Sequence, residues 1–242
     1  MARERIDKLL VARGLFESRA RAQAAVRAGL VFADGAAVAR PSDEVDPDAV
    51  LDAQDTHPFV SRGGLKLAAA LDAFDFDPSG AVALDVGAST GGFTDVLLRR
   101  GAARVYAVDV GRDQFHASLR ARPEVRLFEG FDARTLSRVE VPEPVDLVVC
   151  DVSFISLALV LPAALALARP QARLAALIKP QFEAGPARVK KGIVRDEAVH
   201  AEVCARLSQA IVGLGWQVVG LIPSPIAGGD GNREFLVGAV RS

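Results

Sequence analysis

Cysteine is nearly absent from this chain, and the two present, Cys150 and Cys204, stand far apart with no partner cysteine or histidine at ligand spacing. That excludes a disulfide framework and a zinc site, and no metal is expected. The three histidines, His57, His116 and His200, are scattered and read as structural or solvent-facing. Long apolar runs are missing too. The longest, from Phe154 to Ala168, is broken by Ser156 and Pro162 and is too short to span a bilayer. The opening residues, MARERIDKLL, mix acids with bases and hold no signal-peptide core. A cytoplasmic address and no membrane partner are therefore expected. Lysine is scarce as well: of 29 basic residues only Lys8, Lys66, Lys179, Lys190 and Lys191 are not arginine.

What is present begins with an uneven charge. The formal net charge of −1 conceals eight basic residues against four acids in positions 1–40, followed by six acids and no base in positions 41–57. A basic module ahead of a nearly neutral body suits a polyanion partner. Ile6, Leu9 and Leu10 have helical spacing and stop before Gly14; Ser18 caps a second helix that Gly29 closes; LVFADGAAV reads as a hairpin turning at Asp34-Gly35. Arg19, Arg21 and Arg27 fall on or near the second helix, where they would face phosphates together or form a solvated helix face. The order helix, helix, hairpin, with RIDKLL and SRARAQAAVRAG leading into VFADG, resembles the αL, S-four-like RNA-binding motif over about residues 3–50. The resemblance implies RNA contact by Arg5, Lys8, Arg19, Arg21 and Arg27.

An acidic, proline-punctuated segment follows, and the boundary is expected near residue 58: an RNA-binding domain over 1–57, a catalytic domain over 58–242 and a linker near 54–62. From Gly80 onward strand-like runs alternate with helical ones: AVALDV, RVYAVDV, VRLFEG, VDLVVCD, RLAALIK, WQVVGLI and EFLVGAV, with helices between, one of them near Gln114 to Ala121. Such alternation predicts an α/β fold, a Rossmann-like, mostly parallel sheet with helices on both faces and ligands beyond the C-terminal strand ends.

The stretch LDVGASTGGFTDVLL runs a strand into a glycine turn and a helix. It matches neither the Walker pattern nor G-x-G-x-x-G, and no basic residue lies between Asp85 and Asp95. A cationic or neutral ligand suits it better than a dianion. S-adenosylmethionine is such a ligand: Gly87, Gly91 and Gly92 would admit its methionine part, Asp85 would face its cation, Asp109 would accept both ribose hydroxyls, and Asp132 would lie near the adenine. Alternatively, Asp85 and Asp109 only cap the helices that follow them.

The scarcity of lysine sharpens the catalytic reading. Arginine effectively never releases its proton, whereas lysine can be tuned by burial and neighbours. Lys179 sits at the tip of an apolar strand beside the tip carrying Asp151, Lys66 lies on a helix entering the domain, and Glu234 begins the last strand. Together they would form two cations and two anions at one end of the sheet, either a structural ion-pair network or the apparatus for methylating a ribose 2′-hydroxyl. In the second case burial and Lys66 would favour the neutral amine of Lys179, Asp151 would orient it, and it would take the hydroxyl proton.

RGGLKL, DVGASTGGFTD, AVDVG, CDVSFISL, IKPQFE and GNREF, in this order behind an αL motif, resemble the TlyA family of ribosomal RNA 2′-O-methyltransferases, whose catalytic domain is similar to that of FtsJ. The resemblance implies a catalytic tetrad of Lys66, Asp151, Lys179 and Glu234, and S-adenosylmethionine bound by Gly87, Ser89, Thr90, Gly91, Gly92, Phe93 and Asp109. It implies cytidine riboses of ribosomal RNA as substrate, in free RNA or in ribosomal subunits. Because the chain stops soon after its last strand while some relatives carry a longer tail, the large-subunit site is the expectation.

Three rival readings stay open. A base methyltransferase would show Asn/Asp-Pro-Pro-aromatic where this chain has Asp151-Val-Ser-Phe154, or a nucleophilic cysteine, for which only Cys150 is placed. A membrane-active protein is suggested by the name haemolysin, which the family has also carried. An RNA-binding assembly factor would keep the fold without the transfer. The loop GPARVKKGIVRD is expected to contact phosphates through Arg188, Lys190, Lys191 and Arg195 and to order on binding, or else to be a solvated loop.

Overall fold

The computed structural model describes residues 3–228 and 231–241. The chain divides into two compact units, residues 1–58 and 59–242.

In the first unit β1 (Glu4–Arg5) leads into α1 (Ile6–Ala12), then α2 (Arg19–Arg27), and four short strands follow: β2 (Val31–Ala33), β3 (Ala36–Ala37), β4 (Glu44–Val45) and β5 (Leu51–Ala53). Ser18 caps α2 by accepting a hydrogen bond from the Arg21 N–H. The hairpin forms where Asp34-Gly35 predicts it, with β2 flanked by β3 and β5, and β1 pairs separately with β4. Ile6, Leu10, Ala22, Ala25 and Val31 are fully buried in one small core.

The second unit opens with α3 (Gly63–Ala73) and then alternates: β6 (Val82–Val86), α4 (Gly92–Arg99), β7 (Arg104–Asp109), α5 (Ala117–Arg120), β8 (Val125–Glu129), β9 (Val145–Cys150), α6 (Leu157–Ala166), β10 (Ala168–Ile178), α7 (Pro180–Glu183), α8 (Glu197–Gly213), β11 (Trp216–Pro223) and β12 (Phe235–Arg241). Among the described residues seven strands form one sheet in the order β11-β12-β10-β9-β6-β7-β8. Pairing is parallel from β8 through β10 and antiparallel at β12 and β11. The order reverses between β6 and β9, so the crevice at the C-terminal ends of these two strands is where an open α/β sheet binds its ligands.

Side chains alternate between the faces of the central strands. Leu84, Val86, Val148, Cys150, Leu174, Ala176 and Ile178 join the core beneath α6 and α8, whereas Ala83, Leu147, Val149, Ala175 and Leu177 join the core beneath α3 and α4. Two details depart from expectation. The helix near Gln114 is confined to Ala117–Arg120, and the last strand begins at Phe235, so Glu234 precedes it. No helix among the described residues is long and apolar enough to cross a membrane.

Candidate active site

The alternation decides which side chains meet. Asp151 follows Leu147 and Val149 in parity, Lys179 follows Ala175 and Leu177, and Glu234 precedes Leu236, all on the α3 side. Lys66 comes to the same place from α3, so four residues distant in sequence converge as two ion pairs. Lys66 Nζ donates to Glu234 Oε2 at 2.6 Å, with side chains only 11% and 2% exposed. Lys179 Nζ lies 2.5 Å from Asp151 Oδ1 and donates to Ser153 Oγ at 2.7 Å. Lys66, Asp151, Ser153 and Lys179 wall one cavity of about 290 Å³, together with Ser61 and Arg62, the glycine turn and residues 226–228.

Two glycines make that packing possible. Gly87 sits at φ +85°, and a Cβ there would fall 2.4 Å from the Asp151 carbonyl oxygen, so the ends of β6 and β9 touch only because it lacks one. A Cβ on Gly228 would meet Glu234 Oε1 at 2.0 Å, so a larger residue there would displace the carboxylate that pairs with Lys66.

A second, larger cavity of about 580 Å³ adjoins the first, sharing Gly87, Ser89, Asp151 and Ser153. Its walls are Val108, Phe131, Ala133, Val152, Phe154, Ile155 and Val160, with Asp109, Gln114, Asp132 and Arg134 as the polar groups at its sides. Asp109 ends β7 and ties the turn together: Oδ2 accepts from the Ser89 N–H at 2.7 Å and Oδ1 from the Gly111 N–H at 2.6 Å. Each oxygen keeps the capacity to accept a second hydrogen bond. Asp132 pairs with Arg134, which holds its carboxyl down at about 2.

These groups fit S-adenosylmethionine and disfavour a phosphate ligand. The N–H groups of Gly87 and Ala88 both donate to the Val108 carbonyl, that of Ser89 to Asp109 and that of Gly91 to the Ala88 carbonyl, so the turn is bonded inward. A phosphate-cradling loop instead points its N–H groups at the ligand. Among the described residues the single basic side chain on the larger cavity, Arg134, is already paired with Asp132. Apolar walls with a carboxylate holding spare lone pairs suit a nucleoside whose ribose hydroxyls are free and whose net charge is positive.

Several expectations require correction. Asp85 lines neither cavity: it lies fully buried under the turn, Oδ2 accepting from the Thr94 hydroxyl at 2.7 Å and Oδ1 without a hydrogen-bond partner. Burial pushes its carboxyl up to about 7; the Thr94 bond opposes this and the nearby Asp151 charge adds to it. Gly91 also lines neither cavity, because it packs against Leu119 and Phe115. Thr90, Gly92 and Phe93 wall the smaller cavity, while Ser89 and Gly87 touch both. Cys150 points to the opposite core, and burial, aided by the Asp151 and Asp85 charges, pushes its thiol far up, so it offers no nucleophile.

Ser153, Arg62 and Phe154 were missed. Ser153 is legible in hindsight as the hydroxyl two places beyond Asp151. Phe154 has φ +65°, is 89% exposed and lies against Phe182 with ring centroids 4.8 Å apart and planes tilted by 48°. No sequence pattern announces a phenylalanine in the left-handed region.

In the first unit the predicted RNA contacts divide. Asp7, fully buried, accepts from Arg5, Arg19 and Gln23, and the Arg5 bond above all holds its carboxyl well below the usual range. Arg5 and Arg19 still expose about half of their side chains, and Lys8 and Arg27 are exposed. Arg21 is the exception. It turns inward onto Asp55 at 2.6 Å, across 34 positions of sequence, and is 21% exposed. In the second unit Lys190 and Lys191 are exposed, but their loop is already folded: Lys190 and Ile193 exchange backbone hydrogen bonds, and Asn232 donates to the Gly192 carbonyl at 2.9 Å. Ordering only on binding is not what the structure supports. Among the described residues no group of three or more His, Cys, Asp or Glu could hold a metal ion.

Comparison with known proteins returns the same division of the chain. Residues 59–241 match the FtsJ-like methyltransferase family and residues 4–51 the S4 domain. A Mycobacterium tuberculosis protein, the 16S/23S rRNA (cytidine-2′-O)-methyltransferase TlyA, is 44% identical over 238 residues, 97% of this chain and 89% of that one. A Bacillus subtilis protein provisionally named an rRNA methyltransferase, YqxC, is 43% identical over 97% of this chain and 85% of its own length. Among solved structures, one from Streptococcus thermophilus, provisionally named a haemolysin, superposes with TM-score 0.78 at 41% identity, covering 100% of this chain and 90% of that one.

Proposed function

The chain belongs to the FtsJ-like methyltransferase family and to its TlyA branch, and on that premise we propose that it methylates the 2′-hydroxyl of cytidine riboses in ribosomal RNA. The observation that carries the reading is the pair of Lys–carboxylate contacts at a small cavity that shares a wall with a larger, phosphate-averse one. Gly87, Ser89, Asp109 and Asp132 would hold the donor, with Asp109 accepting from the ribose hydroxyls. S-adenosylmethionine supplies a methyl group on a sulfonium, an electrophile that needs no further activation.

This chain's own residues would handle the acceptor. The 2′-hydroxyl binds in the smaller cavity, where a Lys66 N–H, fixed by Glu234, donates to its oxygen and aims a lone pair. Lys179, held between Asp151 and Ser153, takes the hydroxyl proton once its ammonium has released its own proton to water. Holding the two reactants in line supplies most of the rate, and proton transfer contributes roughly 10²–10⁴-fold. Phe154 offers an exposed ring at the cavity mouth on which a nucleobase can stack. Arg5, Lys8, Arg19 and Arg27, with Lys190 and Lys191, would contact phosphates and set the salt dependence of binding.

The test is to incubate the protein with S-adenosylmethionine and each ribosomal subunit, digest the RNA to nucleosides and map the product. A 2′-O-methylcytidine supports the reading and assigns the subunit. A methyl group on a base refutes it.

A further inference from the structure

Glu183 ends α7, four residues after Lys179, and its side chain is 2% exposed although it lines neither cavity. Its Oε1 accepts from the Leu157 N–H at 2.8 Å and its Oε2 from the Ser156 hydroxyl at 2.8 Å. Ser156 is itself the N-cap of α6, its hydroxyl accepting from the Ala158 N–H. Arg206 on α8 reaches the same carboxylate at 3.2 Å and the Glu183 carbonyl at 2.9 Å, which balances the buried charge.

One carboxylate therefore joins two segments that leave adjacent parallel strands. The segment leaving β9 carries Asp151, Ser153 and Phe154; the segment leaving β10 carries Lys179. Phe182, beside Glu183, adds the ring contact with Phe154, whose left-handed backbone persists only while its surroundings hold it. Capping α6 alone would not require a buried charge, since Ser156 already caps it and a neutral amide could accept from Leu157.

We infer that Glu183 is a positioning residue for methyl transfer: it locks the 152–156 loop to the segment bearing Lys179, and so sets the proton acceptor relative to the donor-cavity wall of Val152, Phe154 and Ile155. The inference rests on the reading of Lys179 as the proton acceptor. Misplacing a reacting group by an ångström can cost roughly a hundredfold in rate.

Glu183→Ala, Glu183→Gln and Ser156→Ala are compared with the unaltered protein by kcat and KM on ribosomal RNA, by calorimetry with S-adenosylmethionine and by amide hydrogen exchange. In Glu183→Ala, kcat is expected to fall about 10–100-fold, as for other outer-shell positioning groups, while donor affinity stays within about threefold. Amides of residues 152–157 should exchange faster, with those of β6 and β7 unchanged. Glu183→Gln keeps an acceptor for the Leu157 N–H but loses the second carboxylate oxygen and the charge facing Arg206, so it restores kcat only in part. Ser156→Ala, which removes the hydroxyl's bonds to Glu183 and to the Ala158 N–H, shows a smaller loss in the same direction and serves if the alanine variant at 183 does not fold. Wild-type kcat in Glu183→Ala, or a lowered melting temperature with kcat per folded molecule intact, overturns the positioning role alone. An unaltered protein that methylates no ribose overturns the parent reading and this role with it.

Discussion

The two cavities share a wall but are built from different material. The larger draws its walls from the ends of β6, β7, β8 and β9 with their loops and from Val160 on α6, and its polar groups Asp109, Gln114, Asp132 and Arg134 stand beside apolar surface. The smaller is charged, and the two ion pairs at its wall draw on α3, the ends of β9 and β10, and the residue before β12, with Arg62 beside them. A binding surface can be assembled locally, each strand end supplying a loop. Proton transfer needs charges held at set distances, and here those charges are collected from positions 66 to 234.

The difference governs what a reader of the sequence can see. The donor turn is contiguous, so DVGASTGGFTD and the acid ending the next strand are visible as neighbours. The tetrad is scattered and shows in the sequence through the scarcity of lysine and the strand-end positions of Asp151, Lys179 and Glu234; the shared face of Asp151 and Lys179 with Leu147, Val149, Ala175 and Leu177 then brings it together. Depth is harder. Asp85 looks like part of the donor surface, yet Thr94, one helical turn into α4, covers it and takes it out of reach. Arg21 looks like a phosphate ligand, but a carboxylate 34 residues later claims it. Long-range partners and backbone strain such as that of Phe154 carry no local signature, which is why they escaped.

Four measurements break or sharpen the contrast. The largest effect belongs to the charged cavity: Lys66→Ala should lower kcat about a hundredfold or more, the cost of a misaligned acceptor oxygen, and leave S-adenosylmethionine affinity by calorimetry nearly unchanged. If donor affinity collapses instead, the two cavities are not functionally separate.

Next is Asp85, beneath the turn. Its folded value of about 7 lies above the ordinary 3.8, so between these pH values the folded chain holds a proton that the unfolded chain has lost. Its contribution to stability is complete below about pH 4 and is lost as pH rises through 7, at up to about 1.4 kcal/mol per pH unit. Urea unfolding of the unaltered protein and Asp85→Asn from pH 4.5 to 8 should show their difference changing with that sign and levelling above 7. A constant difference would mean that Asp85 is ionised in the folded chain.

For the larger cavity, Asp109→Ala should weaken donor binding about tenfold or more, a loss of one charge-assisted hydrogen bond or two, while kcat at saturating donor stays within a few-fold. An equal fall in kcat would place Asp109 in the chemistry. The smallest effect is at the RNA-binding unit. Lys8→Ala should weaken RNA binding only a few-fold and reduce the salt slope by roughly 1, with donor affinity unchanged.

The most direct test of the account is Lys179→Arg, assayed for ribose methylation with donor and RNA both saturating. Arginine keeps the positive charge beside Asp151 but cannot supply a lone pair, so kcat should fall at least about a hundredfold across pH 6.5 to 9.5 with donor affinity preserved. Turnover within threefold of the unaltered protein would contradict the account, because the hydroxyl proton would then have another destination.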